Sequence, residues 1–168
     1  MSAKNGYSKK KAAAFGCGQI SSQGAYQAFT LLVFTFYFTI VGINVLYITI
    51  GFIIWSFWNM VNDPLMGYIS DRTHSKWGRR RPYMMIALIP LGIIMLLLFT
   101  PPLVLGISDQ TINFIYFISI IIIFELFFTM WDLNLTSLFP EAFITVDERT
   151  EANNIRQAIL IIGLLFAF

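Results

Sequence analysis

Two clusters of side chains in this sequence sit where they can do chemistry. The first surrounds Asp63, inside an apolar run from Val45 to Ser70 that is long enough to cross a bilayer. A carboxylate at that depth is energetically expensive and is usually kept for a function. Pro64 follows it, and proline has no N–H, so the Met60 carbonyl loses its helical partner. That carbonyl, the Asp63 carboxylate and the amide oxygens of Asn59 and Asn62 together make a ligand set for a cation. The competing interpretation is a proline kink, with Asp63 held by a hydrogen bond to a neighbouring helix. The second cluster lies where this run ends. Gly67 permits close helix approach, Asp71 and Arg72 sit at the helix exit, and Gly78, Arg79, Arg80 and Arg81 lead into Pro82. This is a turn and a cationic group ahead of a proline helix start. Such a group anchors to anionic headgroups of membrane lipid and pairs with helix C-termini.

The elements that hold these residues follow from composition. Of 168 residues, 57% are hydrophobic and 12% are charged. Soluble domains average about 25% charged residues, so the bilayer is the natural solvent. Backbone groups cannot go unpaired in lipid, so apolar runs of about 20 residues read as helices. Five are drawn, at 13–41, 45–70, 82–105, 111–139 and 152–168, after a tail over residues 1–12. All eleven Lys and Arg fall in the tail, in the connection after the second span, or near the start of the fifth. These positions share one side of the membrane, which the positive-inside rule makes cytoplasmic, with the N-terminus inside. The fold class is an all-α membrane protein in the cell membrane.

Several classes of function fall away. The lone Cys17 forms no internal disulfide. A net charge of +2 gives no reason to expect nucleic acid. No metal-ligand cluster, nucleophilic triad or phosphate loop is visible, so no enzyme chemistry is expected. Trp55 and Trp58 read as packing or lipid contacts ahead of a stacking role.

The longer motif, Asn62-Asp-Pro-Leu-Met-Gly67 through Asp71-Arg72-Thr73 to Gly78-Arg-Arg-Arg-Pro82, resembles the glycoside–pentoside–hexuronide:cation symporters, a melibiose-carrier-like branch of the major facilitator superfamily. Thr129-Met-Trp-Asp132, Ser137-Leu-Phe-Pro-Glu141 and Asp147-Glu-Arg-Thr-Glu151 extend the likeness. The resemblance implies a partial N-terminal helix bundle of a secondary transporter, working by alternating access on a small-molecule sugar or glycoside with H⁺ or Na⁺ as coupling ion. It implies that Asp63 and Asn62 on the second helix and Thr129 and Asp132 on the fourth hold the cation. The two aspartates each lie about eight residues, roughly 12 Å, from a helix end, and so are level. It also implies that Arg156 helps bind the sugar; snorkelling to the interface is the alternative.

The sequence departs from that pattern at several positions. Asn59 stands where sodium-coupled relatives carry a second acid, which favours a proton over sodium. The first helix has no acid in Gly18–Gly24, although Gln19, Ser22 and Gln23 can hydrogen-bond hydroxyls. Thr136 stands where a Trp packs on the sugar ring, which argues for a different solute. Glu125, seven residues before Asp132, shares its helix face. It is a proton-titrating group, a substitute sugar ligand or a structural hydrogen bond across helices. Asp132 is equally a structural partner for Arg156. The chain is expected to be a fragment, with a missing C-terminal half needed for activity. The other readings are a facilitator-superfamily carrier of a non-sugar solute, such as a lipid, and a non-transporting membrane assembly protein.

Overall fold

The computed structural model describes residues 8–76 and 78–167. Five α-helices follow in order: α1 (Lys9–Thr39), α2 (Val45–Arg72), α3 (Arg81–Leu98), α4 (Gln110–Ala142) and α5 (Val146–Ala167), with one 3-10 turn at Pro102–Leu105. Three of them, α2, α3 and α4, are long and apolar enough to cross a membrane by themselves. The other two dilute their apolar residues, α1 with three lysines and several glutamines, α5 with Asp147, Glu148, Arg149 and Glu151.

The helix limits differ from the expected spans for local reasons. The first helix already begins at Lys9, inside the expected tail; residues 1–7 lie outside the described residues. The third was expected to reach Leu105 but stops at Leu98. Pro101 and Pro102 follow, and a residue before proline is pushed out of the helical region. The fifth begins at Val146, six residues before Ala152, because Thr145 and Glu148 form a capping box: the Glu148 N–H donates to Thr145 Oγ1 at 3.3 Å, and the Thr145 N–H donates to Glu148 Oε2 at 3.4 Å.

The chain divides into two compact units, Ala28–Asn134 and Met1–Gln27 with Leu135–Phe168. In the first, α2 and α4 pack in parallel. Tyr47 meets Phe114, Gly51 meets Phe117, Asp63 meets Thr129 and Gly67 meets Leu133, so the partner numbers rise together. The end of α1 adds a buried face of Phe29, Val33 and Tyr37, four residues apart and therefore on one side of the helix. Phe29 stacks on Phe124 with centroids 4.3 Å apart. The α4 core positions Phe117, Ile121, Phe124 and Phe128 keep the helical period. Leu88, Ile89, Ile93 and Leu96 of α3 stay exposed, as lipid-facing residues do.

The end of α3 is closed by tyrosines. The last carbonyls of a helix have no internal partner. Tyr37 donates to the Leu98 carbonyl at 2.8 Å, and the single Tyr116 hydroxyl hydrogen is shared between the carbonyls of Leu97 at 2.7 Å and Thr100 at 3.1 Å. Asn113, itself buried, accepts from the Leu103 N–H at 3.1 Å and donates to the Ile107 and Asp109 carbonyls. It fastens the connection between α3 and α4.

In the second unit the core is Ala12, Phe143 and Ala152, with Phe15, Phe139, Ala142 and Ile155 against it. Arg149 covers the end of α4, donating from Nε to the Phe143 carbonyl at 2.7 Å and from Nη2 to that of Pro140 at 3.3 Å.

Candidate ion and solute site

Helix α2 runs through Pro64 without a break, and α4 is unbroken from Gln110 to Ala142. The seam between them carries the polar residues. Thr129 Oγ1 donates to Asp63 Oδ1 at 3.1 Å, joining α2 to α4 inside their spans. The same hydroxyl lies 3.4 Å from Glu125 Oε1. Trp55 Nε1 donates to Glu125 Oε2 at 2.8 Å. Asn62 Nδ2 donates to the Glu125 backbone carbonyl at 3.3 Å. Glu125, Thr129 and Asn62 are buried, whereas the Asp63 side chain is exposed on the α2 surface.

The structure thus brings together Asp63, Asn62 and Thr129 of the expected cation set and adds Glu125 to them. Asn59 is half-buried, one turn before Asp63. Asp132 is half-buried and lies three residues beyond Thr129, about 4.5 Å of helical rise further along α4. The residue directly opposite Asp63 is therefore Thr129. Trp55 is a hydrogen-bond donor to a buried carboxylate as well as a packing residue, sitting against Phe29 and Phe52. Nothing in the residues around Trp55 signals that donor role; only its partner 70 residues away along the chain gives it.

In the other unit, Arg156 is half-buried and its guanidinium lies 4.7 Å from the centre of the Phe139 ring. Arg156, Gln19, Gln23, Gln157 and Leu160 line a cavity of about 230 Å³. Arg156 Nε is buried without a hydrogen-bond partner. Three amides and a guanidinium provide donors in excess of acceptors, a set suited to hydroxyl and other oxygen groups. Ser22 is buried, Thr136 is exposed, and neither lines this cavity. Gln157 was not foreseen; its place beside Arg156 was the available signal.

At the end of α2, Asp71 and Arg80 form an ion pair of 2.8 Å. Arg72 lies over the Tyr68 ring at 4.2 Å. Gly78 has φ +97°, a left-handed conformation that L side chains rarely adopt, so the turn needs glycine. Arg79 is exposed, and Arg81 is the first residue of α3. Gly67 leaves ordinary room, since an added Cβ would lie 3.7 Å from Leu133 Cδ2. The close approach falls instead at Gly51, where a Cβ would lie 2.5 Å from Phe117 Cε1.

A family model described as "MFS/sugar transport protein" matches residues 14–168. The chain is 37% identical to the uncharacterized symporter sll1374 of Synechocystis sp. over 113 residues, 64% of this chain and 20% of that protein. It is 32% identical over 88 residues to the putative glycoside/cation symporter YagG of Escherichia coli, covering 52% of this chain and 19% of that protein. It is 25% identical over 134 residues to the isoprimeverose transporter of Lactiplantibacillus pentosus, covering 80% of this chain and 27% of that protein. The chain spans about a fifth to a quarter of the length of these relatives.

Proposed function

The chain belongs to the MFS/sugar transport protein family, and on that premise we propose that it is part of a secondary active transporter carrying a sugar or glycoside together with a cation. The observation that carries this reading is the Thr129–Asp63 hydrogen bond across α2 and α4. An ionisable group kept inside a span, joined to a second helix by a polar side chain, is the pattern of an ion pathway. The coupling ion, H⁺ or Na⁺, neutralises charge at Asp63 and Asp132. Solute binds at the cavity of Gln19, Gln23 and Arg156, and the loaded carrier switches by alternating access. Coupling requires that ion and solute favour the same conformational change. Asp71, Arg72, Gly78 and the arginines from Arg79 to Arg81 form a cytoplasmic gate, with the N-terminus on that side. The rest of the carrier supplies the opposing wall, membrane lipid surrounds the bundle, and no enzymatic step is involved.

The names of the relatives support this reading, since YagG is called a putative glycoside/cation symporter and the Lactiplantibacillus protein an isoprimeverose transporter. The test is uptake of labelled glycosides into cells expressing the whole reading frame that contains residues 1–168. Accumulation driven by an imposed H⁺ or Na⁺ gradient is expected, and its loss in Asp63→Asn. Flat uptake of every glycoside, unaltered by that substitution, sinks the reading.

A further inference from the structure

We propose that Glu125 is the second carboxylate of the coupling-ion site, holding one monovalent cation jointly with Asp63 across the Thr129 hydroxyl. The proposal rests on the symporter reading above and deepens it.

Hydrogen counting leads to it. The Thr129 hydroxyl owns one hydrogen and faces Asp63 Oδ1 at 3.1 Å and Glu125 Oε1 at 3.4 Å. It donates to one oxygen at a time. The other contact then sets a carboxylate oxygen against a hydroxyl lone pair unless a proton or another cation stands between them. Two acceptors meet there, and one positive charge between them is what the arrangement lacks. Trp55 already occupies Glu125 Oε2 at 2.8 Å, which leaves Oε1 as the oxygen turned to Thr129.

Asn62 points the same way independently. Its side chain is fully buried. Its Nδ2 donates to the Glu125 backbone carbonyl at 3.3 Å, so the amide cannot be flipped without setting oxygen against oxygen. That orientation leaves Asn62 Oδ1 buried with no donor. A buried acceptor without a partner is destabilising unless something positive reaches it. The charged groups bearing on Glu125 are Asp63 from α2 and Asp132 from α4, both acids. Against it from α1 the neighbourhood is aromatic, with Phe29 stacked on Phe124 and beside Trp55. Among the described residues no Lys or Arg hydrogen-bonds or ion-pairs with Glu125 or Asp63. Like charges gathered around the buried Glu125 carboxylate favour uptake of a cation.

The test uses the whole gene product, purified in lipid nanodiscs without sugar, and reads tryptophan fluorescence, because Trp55 bonds directly to Glu125. One arm titrates NaCl against choline chloride at fixed pH and ionic strength. The other varies pH without sodium. A saturable response in either arm, abolished or shifted at least tenfold in midpoint by Glu125→Gln and by Thr129→Val, supports the site and names the ion. Glutamine still accepts from Trp55, and a cooperative circular-dichroism melt starting from the parent's helix content certifies that each variant is folded. A response that Glu125→Gln leaves untouched overturns the proposal, and so does a protein silent to both ions. Ion binding is read without solute, so a positive result beside absent glycoside uptake faults the substrate reading alone.

Discussion

Thr129 reaches across from α4 to Asp63 on α2 with a hydrogen bond of 3.1 Å, and the same oxygen lies 3.4 Å from Glu125. One hydroxyl thus links two helices and two carboxylates. Replacing it with valine keeps the β-branched shape and removes the link. A hydrogen bond to a charged group is worth about 1.5–3 kcal/mol, or roughly 10–100-fold in an equilibrium constant. Thr129→Val is therefore expected to raise the half-saturating coupling-ion concentration for uptake by about that factor, while Thr129→Ser stays within a few-fold of the parent. Uptake measured against a series of ion concentrations checks both.

Trp55 invites a separate experiment on stability. Its indole donates at 2.8 Å to the buried Glu125, and its ring sits 5.7 Å from Phe29 and 6.0 Å from Phe52. Trp55→Phe retains an aromatic ring and deletes the donor. Hydrogen bonds between membrane helices are worth about 0.6 kcal/mol on average and up to about 1.7. The ionisable acceptor places this one toward the upper end, so a loss of about 1–2 kcal/mol is expected in reversible unfolding from bicelles. A variant as stable as the parent would show that packing alone fixes Trp55.

Much of the fold was legible because lipid forces the backbone into helices, and apolar runs locate them. The ends were less legible. The apolar run continues past Leu98 to Leu105, but Pro101 and Pro102 break the helix, and Tyr37 and Tyr116 satisfy the carbonyls it exposes. The prolines were in plain view; the tyrosines act over 61 and 19 residues, and no local pattern announces them. At the site, Asp63 and its neighbour Asn62 stood out because polar groups in a span are conspicuous. The family resemblance already grouped Asp63 with Thr129, whereas the pairing of Trp55 with Glu125 depends on the register of α2 against α4, which is a property of packing. The close approach expected at Gly67 falls at Gly51 for the same reason.

Those two glycines allow a paired comparison. A Cβ at residue 51 would sit 2.5 Å from Phe117 Cε1, and Phe117 is fully buried, also contacting Tyr37 and Phe52. The ring has nowhere to retreat, and overpacking of this kind costs about 1–3 kcal/mol. At residue 67 the nearest atom, Leu133 Cδ2, lies at an ordinary 3.7 Å. Gly51→Ala is expected to lower the melting temperature clearly and Gly67→Ala to leave it nearly unchanged. Thermal melts of the two variants side by side decide it, and the reverse order would mean the register of α2 on α4 is different.

Arg156 separates charge from shape. Its guanidinium lies 4.7 Å from the centre of the Phe139 ring, and its Nε is buried at the cavity it shares with Gln19, Gln23 and Gln157. Lysine keeps the charge but loses the planar fork and its stacking on the ring. If the guanidinium binds solute oxygens through several N–H groups, Arg156→Lys raises the KM for uptake about tenfold or more, since one or two hydrogen bonds of about 1–1.5 kcal/mol each are lost. If Arg156 only anchors its helix to the interface, lysine serves as well and KM does not move. Uptake kinetics of Arg156→Lys, taken with the membrane abundance of the variant, distinguish a solute ligand from an anchor.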